Sequence, residues 1–355
     1  MAKKIIELFN LTSQADRDVG IEIEMEGHNL HIHCPGWIET EDGSLRGESA
    51  EYVLRRPIKA KEVPLYLTRL QKHLKENGAV LAPSDRCGVH IHINCQQMTE
   101  EEVFKFAILY MVVEDLLVKW CGPTREGNLF CLRAKDAEAL VYYLTEAIQK
   151  NKISHLVYKD IRYAALNFTS LSKYGSLEFR TMQTPEDFKT IETWVEMLMS
   201  IKNASQQYGE PHHIIEDISL KGTKQFLRSV FKEHAEQLFC NNMQELLIAA
   251  ARRIQDAAYA QRLKKKVNPD QPNNQQEELP EWLKDKIEYL KVWTVTNGHI
   301  AAFWDVRNET LWWRKANGII RTADYYAERD WHIDEVPDWY YENETFEELK
   351  RDYEG

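Results

Sequence analysis

The stretch "VGIEIEMEGHN", residues 19–29, decides how this chain is read. Ile21, Ile23 and Met25 alternate with Glu22, Glu24 and Glu26. That period of two belongs to a β-strand and puts all three carboxylates on one face. Like charges on a strand face repel, and glutamate is a poor strand former. Such a run calls for a partner that offsets the repulsion.

Three later segments repeat the pattern. "SAEYVLRRP" aligns Glu51, Val53 and Arg55, "CGVHIHINC" aligns His90 and His92, and "SLEFRTMQ" aligns Glu178 and Arg180. A half-wetted antiparallel sheet accounts for any one of these strands alone. Together they depart from it, because these positions avoid Thr, Lys, Ser and Gln in favour of carboxylates, imidazoles and guanidiniums. Hard divalent cations take oxygen ligands and tolerate an occasional imidazole. Carboxylates from adjacent strands would therefore cage Mg2+ or Mn2+, and arginines in the same basin would grip phosphate oxygens bidentately.

Around these strands the chain reads as α+β. Residues 62–76, with Leu65, Leu67, Leu70 and Leu74 at helical spacing, end at Asn77-Gly78 as a helix cap. "TEEEVFKFAILYMVVEDLLVKW" is a helix opened by Thr99 and apolar on most sides, so it reads as buried. A helix is expected near 136–150. Two extended segments should follow around a Lys-Tyr-Gly turn in "RYAALNFTSLSKYGSLEFRTMQ", then a long helix to about residue 208. The expected domains are a core over 1–210, a helical extension over 211–265, a linker over 266–282 and a small Trp/Tyr-rich module over 283–355. In that module "HIAAFWD", "ETLWWRK" and "GIIRTADYY" suggest a β meander whose tryptophans close a small core.

Composition bounds the function. A net charge of −11 argues against general nucleic-acid binding, which needs a basic surface. No apolar run reaches the ~18 residues of a membrane span, and the N-terminus lacks a signal-peptide core, so a cytoplasmic protein is expected. The six cysteines follow no disulfide rhythm and read as reduced thiols.

"GIEIEME", "DGSLRGESAEYVLRRP", "CGVHIHI", "PTREGNLFC" and "RYAALNFTSL…GSLEFRTMQ" occur in an order that resembles the amidoligase family. That family lies within the glutamine synthetase / glutamate–cysteine ligase superfamily of carboxylate–amine ligases. The resemblance spans roughly residues 15–205. It implies a glutamine synthetase-like catalytic core, a curved antiparallel sheet with helices packed on one face. It further implies that Glu22, Glu24, Glu51, His90 and Glu178 hold metal. His90, His92, Asn167 and Arg180 would meet the nucleotide, and Arg180, Arg162 and Arg125 would act in catalysis, with Asn128 also facing substrate or nucleotide. The family's Ser-x-Pro ending of the Glu51 strand is replaced here by "EYVLRRPI", so no role passes to Arg55 or Arg56. Glu26 has no duty in the pattern and reads as a surface residue or a neighbour of the ligands.

The function implied is an ATP- and Mg2+-dependent ligase (with Mn2+ an acceptable substitute). It would join a carboxylate to an amine on amino-acid-like or peptide-like substrates, and a homo-oligomer is compatible with it. Two rival readings are open. One is a zinc hydrolase using "HIHC" (31–34) with "CGVHIH" (87–92); the absence of HExxH weighs against it. The other is a catalytically inactive binding module docking through its Trp-rich tail.

Overall fold

The computed structural model describes residues 2–12, 17–157, 163–266, 290–294, 300–305 and 310–315. Two compact units divide the chain, Met1–Gln261 and Arg262–Gly355. The first is mixed α+β, built on a seven-stranded antiparallel sheet. Its strands are β1 (Val19–His28), β2 (Trp37–Thr40), β3 (Ser49–Leu54), β4 (Val80–Leu81), β5 (Gly88–Asn94), β6 (Leu166–Asn167) and β7 (Ser176–Gln183). They run in the order β2-β3-β1-β5-β7-β6, and β4 pairs the far end of β1.

The alternation in β1 sorts its two faces. Val19, Ile21, Ile23 and Met25 are all but sealed and join one continuous apolar core. That core continues into the helices α1 (Ile5–Leu8), α2 (Val63–Glu76), α3 (Glu100–Cys121), α4 (Glu138–Lys150) and α6 (Lys189–Ser205). α3 packs against β7, and α6 against β5. Helices α7 (Pro211–Lys221), α8 (Thr223–Phe231) and α9 (Met243–Arg253) then lie over α3 and α6 in the same unit, followed by α10 (Gln255–Lys266).

Local chemistry explains the helix ends. Thr99 Oγ1 accepts from the Glu102 N–H at 3.3 Å while a Glu102 carboxylate oxygen accepts from the Thr99 N–H at 2.7 Å, a reciprocal capping box. α3 is buried on nearly every side, as its all-round apolar composition predicts. α2 stops at Asn77-Gly78, where the Gly78 N–H donates to the Lys75 carbonyl.

One expected segment differs. Between residues 163 and 183 the first extended stretch shrinks to β6, and a short helix, α5 (Ser170–Tyr174), fills the gap before β7. A helix of one turn has no room for a periodic apolar face, so sequence periodicity carries no sign of it. It is held by buried Leu171 and by Ser170 Oγ, which donates to Glu178 Oε2 at 2.9 Å.

In the second unit β8 (Leu290–Thr294), β9 (Ile300–Asp305) and β10 (Thr310–Lys315) form a three-stranded antiparallel sheet in the order β10-β9-β8. β9 and β10 fall within "HIAAFWD" and "ETLWWRK"; "GIIRTADYY" and the linker beyond residue 266 lie outside the described residues. The six cysteines are free, and five of them are buried. Among the described residues no helix is long and apolar enough to cross a membrane.

Candidate active site

Register brings the ionisable residues together. On β1, Glu22 stands opposite His90 of β5, and Glu24 stands opposite Glu51 of β3. His92 pairs with Glu178 of β7, which pairs in turn with Asn167 of β6. Because side chains alternate along a strand, these pairs all rise from the face opposite the apolar core. This face is not a wetted one: Glu24, His90, Asn167 and Glu178 are each no more than 6% exposed. Burying so many ionisable groups is costly unless they are paired or bind a cation.

Between Val89 and Ile91 the β5–β7 pairing slips, so that Arg180 and Thr181 of β7 both face His90. This is a β-bulge, a device that re-aims side chains. Thr181 turns into the core and meets the Tyr110 hydroxyl at 2.6 Å. Arg180 turns into the basin, where its guanidinium donates to Glu178 Oε1 at 2.7 Å, and its Nε donates to the Phe130 carbonyl at 3.3 Å.

In the basin two groups of ligand atoms each lie within 4.8 Å of one another, Glu22 with His92 and Glu178, and Glu24 with Asp42 and Glu51; a third such group, His212 with His213 and Glu216, lies on α7. His90 sits between the two in the basin, 3.3 Å from Glu22, 3.6 Å from Glu24 and 3.8 Å from Glu178. The sequence reading gave His90 the metal role and His92 a supporting one; the structure brings both imidazoles to Glu22 and Glu178, with His92 in one group of ligand atoms with them. His92 Nε2 lies 3.2 Å from Glu22 Oε1, and its Nδ1 is 3.2 Å from Ser176 Oγ.

The two groups differ electrostatically. Burial pushes the Glu22 carboxyl up, but hydrogen bonds from His90 and His92 outweigh it and hold Glu22 well below the usual range. Glu178 is likewise buried, yet the charges of His92 and Arg180 bring it below its ordinary value. His92 is raised, because the Glu22 hydrogen bond overcomes the burial that would lower it. This group therefore carries its own counter-charge. In the second group burial raises Glu24 despite His90 and the Gly88 N–H, which donates to Glu24 Oε2 at 2.8 Å. Glu51 is raised too, by burial, even with the Thr40 hydroxyl donating at 2.6 Å. Only Asp42 is lowered: the Ser44 N–H and hydroxyl outweigh its burial. A cation would offset the charge of such an all-carboxylate group, and its oxygen donors suit a hard divalent ion.

Gly88 makes room for the convergence. A Cβ there would sit 3.2 Å from a guanidinium nitrogen of Arg125, 3.3 Å from Glu24 Oε2 and 3.4 Å from His90 Nε2. Arg125 itself is 1% exposed. Its guanidinium donates to the carbonyls of Thr181 (3.1 Å), Arg180 (2.8 Å) and Asp85 (3.4 Å). It stands behind the basin rather than in it. Asn128 also turns to main chain, donating to the Asp85 carbonyl at 2.7 Å. Asn167 does meet the site, donating to Glu178 Oε2 at 2.7 Å. Arg162 lies outside the described residues. Arg55 and Arg56 are exposed beyond the end of β3.

Asp42 was missed by the sequence reading, which saw in "DGS" an Asp-Gly turn and gave Asp42 no role. The signal was present, since an Asp at a turn can be both a turn former and an oxygen donor. Ser170 was missed as well, with the helix that carries it. Among the described residues no cysteine joins either group, and of the "HIHC" stretch His31 and His33 are exposed while Cys34 is buried.

Residues 57–202 match the family model described as "Putative amidoligase enzyme", which supports the amidoligase family over that stretch. No curated protein matches the chain. The matched stretch carries His90, His92, Arg125, Asn167, Glu178 and Arg180. Glu22, Glu24, Asp42 and Glu51 precede it and reach the same basin through β1 and β3.

Proposed function

We propose that the chain is an ATP-dependent carboxylate–amine ligase working through an acyl phosphate. The observation that carries this reading is the convergence of two oxygen-rich ligand groups, with His90 between them and Arg180 beside them, on one buried sheet face. A carboxylate does not react with an amine in water and must first be activated by phosphoryl transfer. The donor sets fit a hard divalent cation: Glu24, Asp42 and Glu51 would hold one, and Glu22, His92 and Glu178 a second. Such ions would supply positive charge to offset that of the transferred group.

The chain's own residues do the rest. Arg180 is placed to grip the phosphoryl group, held in line by Glu178 and the Phe130 carbonyl. His90 offers a donor between the two groups. The acid substrate's oxygen takes the γ-phosphoryl group and ADP leaves. The amine nitrogen, having lost a proton to a nearby carboxylate or water, then attacks the acyl carbon. The C–O bond breaks, phosphate departs with its electron pair and takes the nitrogen's second proton, and an amide remains. Burial of the basin keeps water from the acyl phosphate. Arg125, with its donors on main-chain carbonyls, acts in this reading as a brace.

Glu22→Gln and Glu178→Gln should each abolish Mg2+-dependent ATP turnover, screened against pools of amino acids, peptides and amines, while circular dichroism shows an intact fold. Turnover at the wild-type rate in either variant would remove the basis for the reading.

A further inference from the structure

Beside the acidic basin lies a cavity of about 320 Å3 that the catalytic reading leaves unused. Its wall is made where the end of β1, the loop into β5, the C-terminus of α3 and the chain after β7 meet; Met25, Glu26, Trp120, Cys121, Thr184 and Glu186 are among its lining residues. Its wall touches the strand that carries Glu24. Thr184 Oγ1 donates to the Glu24 carbonyl at 2.7 Å, and Glu26 follows Glu24 by two positions on the same strand face, roughly 7 Å along.

Three independent features give this cavity one sign. Glu26 and Glu186 line it, no Lys, Arg or His does, and among the described residues no cation pairs with either carboxylate. The last turn of the 22-residue α3 ends in its wall at Cys121, so the negative end of the helix dipole lies there. Lys119, the basic residue of that turn, is drawn away to Asn242 Oδ1 at 3.0 Å. The third feature is the indole of Trp120. It is stacked on Trp194 with centroids 6.1 Å apart, and its Nε1 donates to Gln237 Oε1 at 3.2 Å, so the ring is fixed. An aromatic face attracts an ammonium group. Met25, Leu81 and Pro185 add apolar surface for a short hydrocarbon stem.

We propose that this cavity binds a primary-amine cation on a short apolar stem, a diamine or a lysine-like side chain, and that this is the amine substrate of the ligase. An anionic or neutral polar ligand would meet carboxylates and a negative helix end without compensation. The binding claim stands on the cavity alone; only the role as acceptor rests on the ligase reading.

The test is isothermal titration of the full chain, without nucleotide or metal, with 1,4-diaminobutane and L-lysine amide, and with 1,4-butanediol as the uncharged isostere. The two amines should bind and the diol should not. Affinity should fall with added salt, and Glu26→Gln and Glu186→Gln should each weaken it roughly two- to fivefold, the effect of one half-exposed charge pair. Glu186 is exposed, so its variant folds even if that at Glu26, whose carboxylate caps the Arg46 N–H, does not. No binding of either amine, or wild-type affinity in both variants, overturns the site. A parallel melt with Mg·ATP separates the two ideas: stabilisation by the amines but not by Mg·ATP leaves the cavity standing and sinks the ligase.

Discussion

A guanidinium with three bonds to main-chain carbonyls is a positioning group. Arg125 ties down the carbonyls of Arg180 and Thr181, the two residues of the β7 bulge, and that of Asp85 in the loop ahead of Gly88. It thus fixes both the residue that aims into the basin and the N–H that holds Glu24. Lysine cannot imitate this fork, because its ammonium is a compact point charge. Arg125→Lys should therefore take a donor from the carbonyls of Arg180 and Thr181, at about 1–3 kcal/mol each, while that of Asp85 keeps Asn128. The expected result is a lower melting temperature together with weaker ATP turnover, even though Arg125 lies behind the basin. A variant with wild-type melting and turnover would show that these bonds position nothing.

α3 shows how an element can be read correctly and still hold a surprise. Its start, end and burial follow from the Thr99 box and the apolar run. Replacing Thr99 with alanine should cost about 1 kcal/mol in a denaturant melt. Yet the helix also buries Glu114, whose Oε2 accepts from the Ala134 N–H at 2.7 Å. Burial pushes this carboxyl up to about 8 from 4.5, with neighbouring Asp115 adding to the rise. The raised value means the folded protein keeps a proton that the unfolded chain gives up. Stability therefore falls as pH climbs from 4.5 towards 8, by up to ~1.4 kcal/mol per pH unit. Glu114→Gln, which keeps the acceptor and drops the charge, should remove that slope. Urea melts of both proteins at pH 5 and pH 8 test it: the gap should open only at the higher pH, and parallel curves would refute the assignment. α5 illustrates the opposite case, an element too short for any pattern to announce.

The division of the chain into Met1–Gln261 and Arg262–Gly355 places the whole basin in the first unit. A chain ending at Lys266, the end of α10, should melt cooperatively and show the Mn2+ binding proposed for the basin, measured by electron paramagnetic resonance on it and on the full chain. Loss of Mn2+ binding in a folded truncation would show that the second unit completes the site. Helices α7 to α9, read from the sequence as an extension, pack on α3 and α6. Composition marks a helix but does not reveal which surface it covers.

What the sequence determined by itself was local: which residues alternate, where Thr99 and Asn77-Gly78 cap helices, and therefore which side chains share a strand face. Period and capping involve neighbours a few residues apart, so they are written in the order of the letters. Only the tertiary structure decided that Glu22 stands over His90, that Glu24 meets Glu51 and Asp42, that His92 as well as His90 approaches Glu178, and that Arg125 donates to main-chain carbonyls. Those outcomes depend on register and on one bulge between segments dozens of residues apart. Register is chosen by the burial of whole strands against the helices, a sum over the core that no short motif contains.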